Sequence, residues 1–308
     1  MSIRHAGICS MSAFRHLSLM QMRAACGRRE NVNNLELKKK ASAVRKGILT
    51  AVYSAQSGHP GGSLSAADID TFLFFEEMNI DPENPSDPGR DRFVLSKGHT
   101  APALYAAMAN RGYFPVEELT TFRKLGSRLQ GHPSMQYLPG IDMSSGSLGQ
   151  GISAACGMAL AGKLDGSSHR VYTLLGDGEL QEGEVWEAAM FAAAKKLDNL
   201  VVIVDNNNLQ IDGDISEVNS PYPIDEKFRA FGFHVICIDG HDFDEIRKAF
   251  AEARQTKGVP TAVIAKTVKG KGVSFMENNA GWHGKAPNTE QYEMAVKELE
   301  EAEKALKV

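Results

Sequence analysis

An acidic glycine turn and a run of three asparagines bracket the stretch GDGELQEGEVWEAAMFAAAKKLDNLVVIVDNNNLQIDG, from Gly176 to Gly213. These residue types suit a hard divalent cation and a diphosphate. Magnesium takes about six oxygen ligands and keeps several of them as water or phosphate. One carboxylate (Asp177), one side-chain amide oxygen (Asn207) and one loop carbonyl (Leu209) therefore make a sufficient protein share of the shell. The glycines flanking Asp177 let a diphosphate come close to backbone N–H groups. GDG alone is a weak signal, and it gains weight from the elements that position it.

Histidines form the second signal. Of nine in the chain, five adjoin glycine: His59 in SGHPG, His99 in SKGHT, His132 in QGHPS, His241 in DGHDF and His283 in GWHGK. Glycine beside an imidazole marks a sharply bent loop that leaves the ring facing a cavity. A lone loop histidine is more often structural than catalytic. His59, His99, His132 and His283 gain from their place near expected strand ends, because ligands of open α/β sheets bind at that edge. His241 reads as structural, held by Asp239 and Asp242.

The elements behind these residues can be read from the apolar pattern. Arg170–Leu175 is a strand that stops at the GDG turn, Glu184–Leu197 is a helix with a small apolar face, and Leu200–Val204 is a short buried strand. Strand, helix and strand of this length make a right-handed crossover, which brings Asp177 and Asn207 to one sheet edge. Upstream, a helical period begins near Asn34 and runs over 35–56. A second helix is expected from Ser65 to Met78, capped by Ser63 or Ser65, then a strand at Arg92–Ser96 and a helix over 101–111. A short helix follows Pro115, and the glycine-rich GSLGQG leads into a helix over Gly149–Leu164. Strands at Phe233–Ile238 and Thr261–Lys266 flank a helix at Phe243–Gln255, and a charged terminal helix covers Thr289–Val308. The alternation predicts an α/β fold in three layers, a parallel sheet with helices on both faces, as a single domain over 34–308.

Composition excludes other classes. At 308 residues and 43% hydrophobic content the chain can bury a large core, and a net charge of −4 without a basic stripe excludes a nucleic-acid binder. No apolar run approaches the length of a membrane span. The four cysteines, Cys9, Cys26, Cys156 and Cys237, lack paired spacing, which fits a reducing, cytoplasmic setting. Residues 1–33 form a leader of different character. Met1–Arg29 holds five arginines, two histidines and no acid, a composition shared with transit peptides but without a sustained amphipathic pattern. A disordered leader or an upstream start fits it better.

Taken together and in order, SGHPGG, LSKGHT, GHPS, GSLGQG, GDGELQEGEVWEAA, VDNNNLQIDG and WHGKAP resemble the thiamine-diphosphate domain of transketolases, over about Leu35 to Pro287. The resemblance implies thiamine diphosphate and Mg2+ as cofactors, with Ca2+ or Mn2+ as substitutes, and Asp177, Asn207 and the Leu209 carbonyl as metal ligands. It implies cofactor contacts from His99, Gly146, Ser147, Leu148, Gly178, Asn207 and His283, and substrate contacts from His59, His132 and His283. His59, His99 and His283 are the implied catalytic group. Glu182 and Glu187 match carboxylates near the subunit interface. Ser147 departs from the proline many members carry.

In full-length members this domain is followed by a pyrimidine-binding domain, whose glutamate activates the cofactor, and by a further C-terminal domain. The resemblance therefore implies an N-terminal subunit of a split transketolase, paired with a C-terminal subunit that supplies the glutamate. A two-plus-two heterotetramer, self-associating across the cofactor site, is the expected assembly. The implied reaction moves a two-carbon ketol unit from a ketose phosphate to an aldose phosphate, with His59 or His283 relaying the proton as the C2–C3 bond breaks. Two alternatives stand beside it. One is a subunit of another thiamine-diphosphate enzyme, a deoxyxylulose-phosphate synthase or a 2-oxo acid dehydrogenase; the other is a non-catalytic cofactor-binding relative. The histidine set speaks against the dehydrogenase, because polyhydroxylated substrates need several hydroxyl-binding groups.

Overall fold

Apolar residues alternate in their facing along every central strand, and this alternation builds two cores. The computed structural model describes residues 32–306, so the expected leader lies outside it save for Val32 and Asn33. The strands are β1 (Arg92–Leu95), β2 (Val171–Gly176), β3 (Leu200–Asn206), β4 (Leu209–Gln210), β5 (Gly213–Asp214), β6 (His234–Asp239) and β7 (Thr261–Lys266). All but β4 and β5 form one parallel sheet in the order β1-β2-β3-β7-β6. Tyr172 and Leu174 of β2, Val201 and Ile203 of β3, and Val263 and Ala265 of β7 face one core. Their neighbours Val171, Leu175, Leu200, Val202, Val204, Ala262 and Ile264 face the other. Strands apolar on both faces must be covered on both.

The first face carries α1 (Asn34–Ala55), α2 (Pro60–Phe72), α3 (Ala101–Arg111), α8 (Phe243–Gln255) and α9 (Thr289–Ala305). Its core is rich in large side chains such as Tyr105, Phe72 and Phe250. Burying one side chain of this kind stabilises the fold by ~1.5–3 kcal/mol. The second face carries α4 (Gln150–Leu164), α5 (Gly183–Ala194) and α7 (Ile224–Ala230), and half of the buried residues its helices contribute are alanine. Small residues allow close approach. A Cβ added at Gly151 would stand 2.6 Å from the Ser96 Cα, so α4 begins directly against the end of β1.

One expectation needed correction, and one region went unread. The second helix starts at Pro60, five residues before Ser65, with His59 as a cap that makes no side-chain hydrogen bond. Proline at the first helical position needs no N–H and has its φ already set, so Ser63 and Ser65 lie inside the helix. Their hydroxyls donate to the His59 and Gly62 carbonyls at 2.7 and 3.0 Å. The helix then continues as a π turn over Leu73–Glu77. Downstream, the polar tract after β3 is a two-strand hairpin, β4–β5, followed by α6 (Ile215–Asn219) and α7, none of which its composition announced.

Candidate cofactor and active site

The crossover places the acidic turn and the asparagines side by side. Gly176, the last residue of β2, is in register with Asp205 of β3, so Asp177 and Asn207 leave the same edge on adjacent strands. The Asp177 carboxylate accepts hydrogen bonds from the Gly178 N–H at 2.9 Å and the Asn208 N–H at 2.6 Å. The Asn207 side-chain oxygen accepts from the Leu209 N–H at 3.2 Å, while its amide nitrogen leans toward Ser65 and Asp205. Asp177, Asn207 and Leu209 line one cavity of about 390 Å³. Burial, and after it the negative charge of Asp205, raise the Asp177 pKa to about 7. A bound cation acts in the opposite direction and favours the carboxylate. Oxygen donors of three kinds around a buried acid fit a hard divalent ion, and they are too few to fill its shell.

A cation that the sequence reading missed stands opposite. Lys269, in the turn after β7, is 2% exposed and lines the same cavity. Its ammonium donates to the Leu209 carbonyl at 3.1 Å and lies 3.2 Å from His283 Nδ1. Burial lowers its pKa to about 8, against the pull of Asp177 and Asp205. At neutral pH it is therefore charged, so His283 Nδ1 accepts and the ring proton resides on Nε2. An ammonium buried beside a carbonyl and an imidazole is suited to an anion.

Beneath the cavity runs a charged floor. Lys97 pairs with Asp205, and both are buried. Asp205 also accepts from Ser65 at 2.5 Å and from Thr267. The Lys97 ammonium reaches the Gly62 carbonyl at 3.1 Å, and the Gly61 carbonyl accepts from the Gly270 N–H at 2.9 Å. Glu179 clamps together the ends of β1 and β2 and the start of α4. Its carboxylate accepts from the Gly149 N–H at 2.8 Å, the Gly176 N–H at 3.1 Å and the Ser96 hydroxyl. Gly149 sits at φ +83° as the cap of α4, a backbone conformation costly for side-chain-bearing residues.

Three histidines close the other side. The rings of His59, His99 and His283 form a triangle with centroid separations of 5.1, 5.3 and 5.2 Å. Burial is the leading cause that depresses all three. His59 falls to about 4, helped by Arg123, and His283 to about 3, helped by Lys269; His99 lies well below its usual value, with Lys97 next to burial. At neutral pH all three are uncharged, each with one donor and one acceptor nitrogen. His59 Nδ1 is buried with no hydrogen-bond partner among the described residues, which marks it as a group with bonding capacity for a ligand.

Gly146, Leu148 and Gly178 also line the cavity. Ser147 and His132 are exposed and are not among the described residues lining it; His132 stands behind Gly146, where an added Cβ would meet its ring at 3.2 Å. Glu182 is exposed at the cavity wall, and Glu187 is exposed on α5, as are Met190 and Phe191. His241 is structural as expected, but by other partners. Its ring bonds Asp68 and the Val268 N–H, and Asp239 reaches only its backbone N–H. Lys97, Glu179, Asp205 and Lys269 escaped the sequence reading. The one available signal was position, since each lies within a few residues of a strand end.

A parallel α/β sheet that gathers an oxygen-donor set, a buried ammonium and neutral imidazoles at its carboxyl edge defines a diphosphate-cofactor enzyme domain. The chain matches the transketolase, thiamine diphosphate binding domain family over residues 37–299, and it belongs to that family. It is 48% identical to the 6-deoxy-6-sulfo-D-fructose transketolase subunit of Clostridium sp. (strain MSTE9), over 86% of this chain and 97% of that one. It is 43% identical to an apulose-4-phosphate transketolase subunit of Phocaeicola vulgatus, over 88% and 95%. Human transketolase is 46% identical over 85% of this chain, which spans only 42% of that protein. The crystal structure of Campylobacter jejuni transketolase superposes with a TM-score of 0.82 at 36% identity, covering 87% of this chain and 43% of that one.

Proposed function

We propose that this chain is the cofactor-bearing subunit of a two-chain transketolase that moves a two-carbon ketol unit from a ketose to an aldose. One observation carries the reading: Asp177, Asn207, Leu209 and the His59–His99–His283 triangle converge on a single cavity. Thiamine diphosphate, when bound, supplies the carbanion stabilisation that ketol transfer needs. Asp177, Asn207 and the Leu209 carbonyl hold Mg2+, or Ca2+ or Mn2+ in its place. Gly146, Leu148, Gly178, His99, His283 and Lys269 receive the cofactor, with Ser147 between two of them but outside the cavity lining. His59 and His283, as neutral imidazoles, donate to and accept from substrate hydroxyls and relay the proton, with His132 at the substrate's outer reach.

The high coverage of two relatives named as subunits supports a partner chain, which brings the pyrimidine-activating glutamate. Exposure of Glu187, Met190 and Phe191 on α5 and of its cap residue Glu182 supports an intersubunit contact there, in a two-plus-two assembly. The described residues 34–306 are read as one domain. No helix among the described residues is long and apolar enough to cross a membrane, and Cys156 and Cys237 are free thiols; both support a cytoplasmic setting. The two subunit relatives are named for sugars that carry a sulfonate or a phosphate, so the substrate class is a ketose with an anionic end.

The test is reconstitution. The chain co-purified with its partner from the native host, given thiamine diphosphate and Mg2+, is expected to transfer ketol units from phosphorylated or sulfonated ketoses. Turnover by this chain alone would overturn the two-chain reading. Cofactor binding without transfer by the reconstituted pair would support the non-catalytic alternative instead.

A further inference from the structure

We propose that His241 is a positioning residue of the cofactor site, which fixes the backbone turn that aims Lys269 into the cavity. His241 follows β6, the edge strand of the sheet, and it does not line the cavity among the described residues. Its Nε2 accepts from the Val268 N–H at 2.9 Å, so the ring proton is on Nδ1, which lies 2.7 Å from Asp68 Oδ2 and donates to it. Asp68 is held as a carboxylate. Burial works to raise its pKa, but the charge of Arg45 and the hydrogen bonds from His241 and Arg45 outweigh it. Arg45 grips both Asp68 oxygens, at 3.1 and 2.6 Å, and its Nε donates to the Lys271 carbonyl at 3.1 Å.

The consequence lies in the residues between. Val268 and Lys271 are the two points at which the turn is tied to this network, one through its N–H and one through its carbonyl, and both ties lead back to Asp68. Lys269 stands between them and extends toward the Leu209 carbonyl and His283. A lysine ammonium on a flexible four-carbon stem is aimed only as well as the backbone beneath it is fixed. The Arg45–Asp68–His241 network supplies the fixing from the α1 and α2 side, beside the bonds of the Gly270 N–H to the Gly61 carbonyl and of the Asn278 N–H to the Lys269 carbonyl, both at 2.9 Å.

This inference rests on reading Lys269 as a diphosphate-binding group. It is tested with the full chain by calorimetric titration of thiamine diphosphate with Mg2+ and, separately, of inorganic pyrophosphate. In His241→Asn the amide can replace Nδ1 toward Asp68 but cannot reach Val268. In His241→Gln the amide oxygen can stand where Nε2 stands. His241→Asn is expected to weaken both ligands by roughly five- to tenfold, the effect of one lost hydrogen bond, and His241→Gln to stay within about twofold of the parent. In a Lys269→Met background His241→Asn is expected to add nothing, because both act through one group. Unchanged affinity in His241→Asn, an additive loss on top of Lys269→Met, or equal losses in the Asn and Gln variants would overturn the proposal. So would unfolding of His241→Asn, which would make the ring a support of the fold rather than of the turn. If the parent chain binds neither ligand, the diphosphate reading itself fails, and this inference falls with it.

Discussion

The turns around His59 and His241 are similar in sequence, SGHPGG and DGHDF, yet their imidazoles do different work. At His241 both ring nitrogens are committed, one to Asp68 and one to the Val268 N–H. At His59 the ring packs edge-on against two other imidazoles, and its buried Nδ1 has no partner among the described residues. Residue type and a neighbouring glycine do not separate the two cases. Completed against uncompleted hydrogen bonding does, since a buried polar group left without a partner is costly unless a ligand completes it.

Substitutions on the two sides should therefore differ in what they damage. The largest effect is expected at Asp177, proposed as a metal ligand of the open region: Asp177→Ala should abolish Mg2+-dependent thiamine-diphosphate binding, and calorimetry showing undiminished affinity would mean that no metal is held there. Next, His283→Asn in the reconstituted enzyme is expected to lower kcat by about 10²–10⁴-fold while leaving resistance to urea nearly unchanged. A loss of stability without loss of kcat would give His283 the same kind of role as His241.

The satisfied region should respond in the opposite sense. Asp68→Ala leaves the Arg45 guanidinium buried without its carboxylate and is expected to destabilise the chain by about 3 kcal/mol in denaturant titration. A variant as stable as the parent would show that the network is dispensable to the fold. The smallest effect is a pH dependence. His59 has a folded pKa of about 4, below the ~6.5 of an unfolded chain, so the unfolded state binds more protons between those values. Stability should therefore fall as pH drops through that window. His59→Asn should flatten this part of the profile, and a thermal-midpoint series unchanged by the substitution would show that His59 is not held neutral by the fold.

The order of most elements, and the meeting of Asp177 and Asn207 at one sheet edge, were legible because they depend on local signals. Asp177 and Asn207 each follow a run of apolar residues short enough to be a buried strand, and strand–helix–strand geometry brings such ends together. Lys97, Glu179, Asp205 and Lys269 were not legible for the converse reason. A charged residue in a polar loop reads as solvated, and its burial is decided by segments distant in sequence. For Lys97 the burying partners are Asp205 and the Gly62 carbonyl. The start of α2 was hidden because glycines at 61 and 62 look like a helix breaker. In the fold they are contact points, since a Cβ at Gly61 would lie 2.9 Å from the Trp282 carbonyl. Expecting a serine cap there gave propensity too much weight against packing.

The Gly61 and Gly62 carbonyls carry a kinetic consequence. One is bonded by the N–H of Gly270, after β7, and the other by the ammonium of Lys97, after β1. Two segments remote in the chain thus close on two adjacent peptide units of a third, and that third cannot swing away without breaking both bonds. Amide hydrogen exchange should register this as a single opening event: Gly270 and Ser63, whose N–H bonds the His59 carbonyl, are expected to exchange with matching protection and to slow together when ligand binds. Where Gly61, Gly62, Lys97 and Gly270 meet, the cavity wall would therefore open as one unit rather than as separate loops.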